Sequence, residues 1–222
     1  MTVTLQIVSS LEKIFAELPL PAPRDRLCLL RNERGGLQLV ITSDADADCG
    51  ITVKCPLSCR LYAVKDVPVG LAIYPDARNC TVLNGGKSGD YPDLLVPLEE
   101  KISVKAGKPT VIWAEFTGDA PGAHEAVFTV KTGQKTTKAK AEIAVAGTAL
   151  PEQTLRHVNW FHSDCLAVYY GVEVGSEDWW RIVENFMQNA ASHGVNVSFT
   201  PLFTPPLDTQ VGGERPRCSW WT

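Results

Sequence analysis

The chain has no long apolar run and no basic leader. MTVTLQIVSSLEKIF at the start has neither a positively charged n-region nor an extended hydrophobic segment, so a signal peptide and a membrane span are not expected. A large excess of charge is lacking too. The net charge of -4 over 222 residues gives no reason to invoke nucleic acid or an anionic membrane. With 45% hydrophobic and 21% charged residues, the composition is that of a soluble globular protein, large enough for one large domain or one and a half smaller ones.

Cysteine is present but unpatterned. The seven cysteines (28, 49, 55, 59, 80, 165 and 218) are odd in number and follow no disulfide framework. With no export signal, reduced thiols and a cytoplasmic location are the economical reading. Cys55 and Cys59 look like half of a zinc site, but no second pair or nearby His completes four ligands. Small apolar packing is the expected role of Cys28, Cys49 and Cys55. Two further motifs fail. The acidic run Ser43–Asp48 lacks the glycine and terminal Glu of a calcium loop. Gly85-Gly86-Lys87-Ser88 lacks the spacing and the strand-to-helix context of a phosphate loop. No metal and no cofactor is expected.

What is present is mostly β. Residues 4–18 place Leu5, Val8, Leu11, Ile14, Phe15 and Leu18 at a spacing that predicts a short N-terminal helix, ended by Pro19 and Pro21. From Leu27 onward, short strand-like runs alternate with turns. They fall at 27–30, 37–42, 51–54, 61–64, 102–104, 110–116, 126–131 and 139–145, with 74–97 rich in loop residues. Strands of this length and spacing predict a β-sandwich over residues 1–150. Trp113 lies within an alternating strand and is read as core; with Tyr91 it is the sandwich's candidate aromatic platform.

After the short linker 146–154 the text changes. His157–Phe161 has strand character. Ser176 is a helix N-cap, with Glu177 and Asp178 on the first turn. Trp179, Trp180, Ile182, Val183, Phe186, Met187 and Ala190 recur at helical spacing up to Gly194. Val195–Thr200 is a second strand. Strand, loop, helix, strand demands a parallel pair, and ligand chemistry in such units gathers at the carboxyl ends of the strands. Those ends carry Trp160-Phe161-His162-Ser163-Asp164, the run 200–209, and Gly213-Glu214-Arg215-Pro216. Two readings stand on residue types alone. Rings beside Asp, His, Glu and Arg stack on a sugar and bond its hydroxyls; or Trp160 and Phe161 fill a core while the charges are solvated.

The pieces Asn159–Asp164, His193-Gly194-Val195-Asn196, TPLFTPPLDT at 200–209 and Gly213–Pro216 resemble the start of the catalytic barrel in glycoside hydrolase family 123. Residues 91–98 resemble a segment of that family's N-terminal domain, and the strands and turns up to Leu150-Pro151 resemble the end of its sandwich. One departure is His124, where relatives tend to carry an aromatic. The resemblance implies a mainly β protein, a β-sandwich over 1–150 followed by the start of a (β/α)8 barrel over 151–222. It implies hydrolysis of glycosides, with N-acetylgalactosaminides as the substrates of characterised relatives. These use the substrate's own acetamido group as nucleophile, assisted by an Asp-Glu pair.

No Asp-Glu dipeptide follows Pro151, and a (β/α)8 barrel needs roughly 200 residues. The expectation is therefore a truncated, inactive chain with no catalytic residue of its own. Its substrate-binding residues would be Trp160, His162, Asp164, Asp208, Glu214 and Arg215. His162 as a satisfied core histidine is the competing reading. Self-association through the incomplete barrel is expected, as its parallel strands and apolar helix face lack cover. The last six residues break pattern and read as a frameshift near codon 217. The alternative function is a non-catalytic carbohydrate-binding or structural β-sandwich module.

Overall fold

The computed structural model describes residues 1–70, 88–161 and 163–199, and only the backbone of Asp164. The chain divides into two compact units, Met1–Leu150 and Pro151–Thr222. The described part of the first unit holds ten strands: β1 (Val3–Ser9), β2 (Arg26–Arg31), β3 (Arg34–Ser43), β4 (Ala47–Lys54), β5 (Cys59–Val69), β6 (Gly89–Pro97), β7 (Ile102–Val104), β8 (Thr110–Thr117), β9 (Gly122–Thr132) and β10 (Lys135–Ala149). They form two five-stranded sheets, ordered β1-β3-β8-β5-β6 and β2-β10-β9-β4-β7. All neighbours are antiparallel except β2 and β10, which run parallel.

Alternation explains why these two sheets face each other. On β3, Leu37, Leu39 and Ile41 point inward; on β8, Ile112, Ala114 and Phe116 do the same. The second sheet answers with Ala126, Phe128 and Val130 from β9 and Ala141, Ile143 and Val145 from β10. Phe116 and Phe128 meet edge to face across the core, with ring centroids 6.2 Å apart, and both are fully buried. Burying each such large side chain stabilises the fold by about 1.5–3 kcal/mol. The turn after β2 docks on the end of β8, where Asn32 N donates to Gly118 O and Gly118 N to Glu33 O. Only glycine fits at 118, because a Cβ there would stand 2.2 Å from the Leu30 carbonyl oxygen.

The N-terminal segment is not the expected helix. Val3, Leu5 and Ile7 alternate toward the core, and the strand pairs with β3 from Val3↔Ser43 to Ser9↔Leu37. Burial of that period-two stripe against β3 outweighs a weaker 3.6-residue pattern. Beyond Ser9 the chain crosses the outer face of the first sheet. There Val8, Ile14, Val40 and Val111 form a second cluster, and Phe15 meets Tyr91 edge to face at 5.3 Å. The buried Gln38 amide anchors the crossing, donating to Ser9 O at 2.9 Å and Glu12 O at 2.7 Å. Tyr91 is thus occupied by packing and offers no platform. Trp113 also departs from expectation: it shares the outer face of β8 with Val111 and Glu115, opposite to Ile112, Ala114 and Phe116, and is half-buried. The segment 89–97, read as loop, is an edge strand on β5.

The second unit contains β11 (Val158–Trp160), α1 (Ser163–Tyr170), α2 (Glu177–Ser192) and β12 (Val197–Phe199) among its described residues. β11 and β12 are parallel neighbours, in register Val158↔Val197, Asn159↔Ser198 and Trp160↔Phe199. Helix α1 lies in what the sequence presents as a loop. No described helix is long and apolar enough to cross a membrane.

Candidate functional site

The second unit is assembled from short-range devices that the sequence spells out. Ser176 caps α2, its Oγ accepting from Trp179 N at 3.2 Å, with Glu177 and Asp178 on the first turn against the helix dipole. Trp179, 1% exposed, turns its ring beneath α1, and its Nε1 donates to Ser163 O at 3.0 Å. Gly194 ends the helix at φ 86, a left-handed conformation that a Cβ would disfavour. Two residues later the Asn196 amide pins the start of β11. Its Oδ1 accepts from His157 N at 2.8 Å, and its Nδ2 donates to Leu155 O at 3.0 Å. The family-like run His193–Asn196 is therefore structural: it stops a helix and sets the two strands in register.

Setting that register brings Trp160 and Phe199 side by side at the carboxyl ends of β11 and β12. Their rings meet edge to face at 4.6 Å and 80°, and Phe161 N donates to Phe199 O just beyond. Trp160 is 64% exposed and Phe199 50%. They present apolar faces at the end of a parallel pair, where ligands of such units sit. Of the expected site residues, Trp160 is at this position, and Asp164 is the second residue of α1, directly after β11. His162, Asp208, Glu214 and Arg215 lie outside the described residues, as do the 200–209 run and the proposed frameshift. Phe199 carries no sequence signal beyond its place inside the strand-like run Val195–Thr200; the observed strand ends on it.

Other chemistry is sparse. Among the described residues no group of three His, Cys, Asp or Glu side chains stands close enough to hold a metal ion. Cys55 and Cys59 flank the β4–β5 turn against the core. Burial, with Cys55 and Glu115 nearby, pushes the Cys59 thiol up to about 12, which suits a packed thiol and not a nucleophile.

The described residues form a β-sandwich and, in a second unit, a parallel strand–helix–strand arrangement with an aromatic at each strand end. Residues 160–220 match the family model described as Glycoside hydrolase 123, catalytic domain. In fold, the chain is similar to a family 123 glycoside hydrolase from Clostridium perfringens, whose structure is described as giving details of glycolipid glycan hydrolysis. The TM-score is 0.67 at 12% identity, over 87% of this chain and 37% of that one. The chain is thus glycoside hydrolase family 123-like, and it spans little more than a third of the length of that relative. Weaker likenesses include a FixG-related protein from Vibrio parahaemolyticus, with TM-score 0.34 and 8% identity over 64% of this chain and 95% of that one. Another is a PapD-like domain of human CEP192, with TM-score 0.31 and 5% identity over 66% and 87%. No curated protein matches.

Proposed function

We propose that this chain is the N-terminal part of a family 123-like glycosidase, a sandwich followed by the first strands of a (β/α)8 catalytic domain, and that it handles an N-acetylhexosaminide such as an N-acetylgalactosaminide. The observation carrying this reading is the exposed Trp160–Phe199 pair at the strand ends, lying where the family match begins. Trp160 stacks on the apolar face of a sugar ring. His162, Asp164, Asp208, Glu214 and Arg215 position the substrate through its hydroxyl and acetamido groups. Acid–base work needs two carboxyls flanking the anomeric carbon, and none of these residues is assigned that role. With the family's Asp-Glu pair absent from this sequence, the 222-residue chain by itself does not turn over glycosides.

Two further features belong to the same proposal. Val168, Tyr169, Trp180, Phe186 and Met187 are exposed on α1 and α2, and they support self-association of the isolated chain, measurable by sedimentation. Cys28, Cys49, Cys55 and Cys59 sit outside any disulfide, which supports a cytoplasmic setting, measurable by fractionation.

Saturation-transfer NMR with N-acetylgalactosamine tests the strand-end site. The expected result is transfer to the sugar-ring protons in the wild-type chain, its loss in Trp160→Ala, and no release from an aryl N-acetylgalactosaminide. Transfer that survives Trp160→Ala removes the strand-end site, and turnover by the pure chain removes the assignment of these residues to positioning alone.

A further inference from the structure

The outer face of the first sheet carries a second aromatic and polar set. Register places Gln38, Trp113 and Tyr62 in one row across β3, β8 and β5, and Gly36, Glu115 and Arg60 in the next. Side chains in neighbouring rows of one face are within reach of each other. The Trp113 indole leans across Gly36. A Cβ at that position would stand 2.6 Å from its Cζ2, 2.7 Å from its Cε2 and 3.0 Å from its Nε1. Glycine at 36 thus leaves the room that the Trp113 ring occupies.

Among the described residues, the polar groups on this face are without partners. Glu115 and Arg60 are directly opposed across β8 and β5, yet they form no ion pair. Neither they, nor the Tyr62 hydroxyl, nor Trp113 Nε1 has a hydrogen-bond partner among the described residues. Nε1 is not a buried orphan either, because no described buried side-chain nitrogen or oxygen lacks a partner. Gln38 differs, since its amide is spent on Ser9 and Glu12. The Trp113 indole therefore shares its face with the Tyr62 phenol in its own row and the Glu115 carboxylate and Arg60 guanidinium in the next, none of them bonded among the described residues.

We infer that this face is a glycan-binding platform, separate from the strand ends of the second unit, and that its ligand is a neutral oligosaccharide. The indole supplies the stacking surface for one sugar ring. Glu115 accepts from hydroxyls, while Arg60 and Trp113 Nε1 donate to hydroxyl or ring oxygens. Adjacent single charges of opposite sign favour a neutral polyhydroxyl ligand over an anionic or cationic one, because either ion would meet one repelling group. The inference does not rest on the strand-end reading.

The experiment is binding of the full 222-residue chain to an array of immobilised neutral and acidic oligosaccharides, with W113A, R60A and W160A beside the wild type. The expected result is binding to neutral glycans that falls at least about ten-fold in W113A and several-fold in R60A, and persists in W160A. Arg60 is exposed and has no ion pair among the described residues, so R60A reports on binding even where W113A perturbs the sheet. Absence of binding to any neutral glycan overturns the platform, as does wild-type binding by R60A or a preference for acidic glycans. Loss in W160A alone overturns it while leaving the strand-end site standing.

Discussion

Replacing Gln38 by leucine should release the N-terminal crossing and destabilise the sandwich by about 2–4 kcal/mol. Gln38 is 4% exposed and donates twice, to Ser9 O and to Glu12 O. Leucine fills nearly the same volume, so the cavity contribution is small. The loss is polar. Ser9 O keeps a 3.3 Å bond from Glu12 N, whereas Glu12 O has no other backbone donor among the described residues. Two bonds at about 1 kcal/mol net each, plus about 1–3 kcal/mol for an acceptor left dry, set the upper end; the apolar burial gained by leucine lowers the total. The chain can escape the dry carbonyl by lifting residues 10–15, but that exposes Ile14 and Phe15, at a similar cost of about 1.5–3 kcal/mol each.

Both routes converge on one assay. Urea unfolding, followed by exchange of the Leu39, Ile112 and Phe128 amides, should show the midpoint falling by about 1–2 M for a slope near 2 kcal/mol per M. Trypsin should cut after Lys13 faster, because that residue is held in the crossing by Pro92 O and Asp93. A midpoint within about 0.3 M of wild type, with unchanged cleavage at Lys13, would refute the anchoring role of the amide.

Two further outcomes are expected. Asp119 is held below its ordinary 3.8 chiefly by the Ser58 hydroxyl at 2.8 Å, with help from Ser58 N. Its contribution is therefore complete above the unfolded value and lost as pH falls through the lower folded one. Between pH 5 and pH 2.5 the wild type should lose more stability than Asp119→Asn, and in Ser58→Ala the Asp119 carboxyl should titrate higher by NMR; equal acid sensitivity would contradict this. Ser176→Ala should cost α2 about 1 kcal/mol and speed exchange at Trp179 and Trp180, whose amides bond back to Ser176; unchanged protection there would count against the cap.

The sandwich was legible wherever one face of a strand is buried and the other is wet. β8, β9 and β10 alternate plainly, and their bounds fall within a few residues of expectation. Legibility failed where two periods coexist. Residues 3–18 satisfy a helical spacing, but Val3, Leu5 and Ile7 also form a period-two stripe, and the stripe has a partner strand to cover it. The outer-face position of Trp113 was hidden for a related reason. Alternation shows that Trp113 and Ile112 point opposite ways, but not which side is the core. Only the register with β3, which brings Leu37 and Leu39 to the side of Ile112 and Ala114, decides it. α1 escaped because Ser163–Tyr170 is uniformly apolar toward its end, with Val168 and Tyr169 both exposed, so it carries no amphipathic signal.

The strand-end site shows a sharper limit. Its frame could be read locally: a serine cap, a glycine stop and an asparagine two residues on are each a one-residue solution to a backbone problem. The meeting of Trp160 with Phe199 could not, because it obeys no period and arises only from the pairing of β11 with β12. In the sequence Trp160 stands out by its company of His and Asp, whereas Phe199 is one more aromatic within a strand-like run. Yet the parallel register makes them equivalent, the last residue of each strand, both exposed and in edge-to-face contact. The sequence bounds end these strands one residue later, at Phe161 and Thr200, so only the observed register, Trp160↔Phe199, puts the two rings side by side.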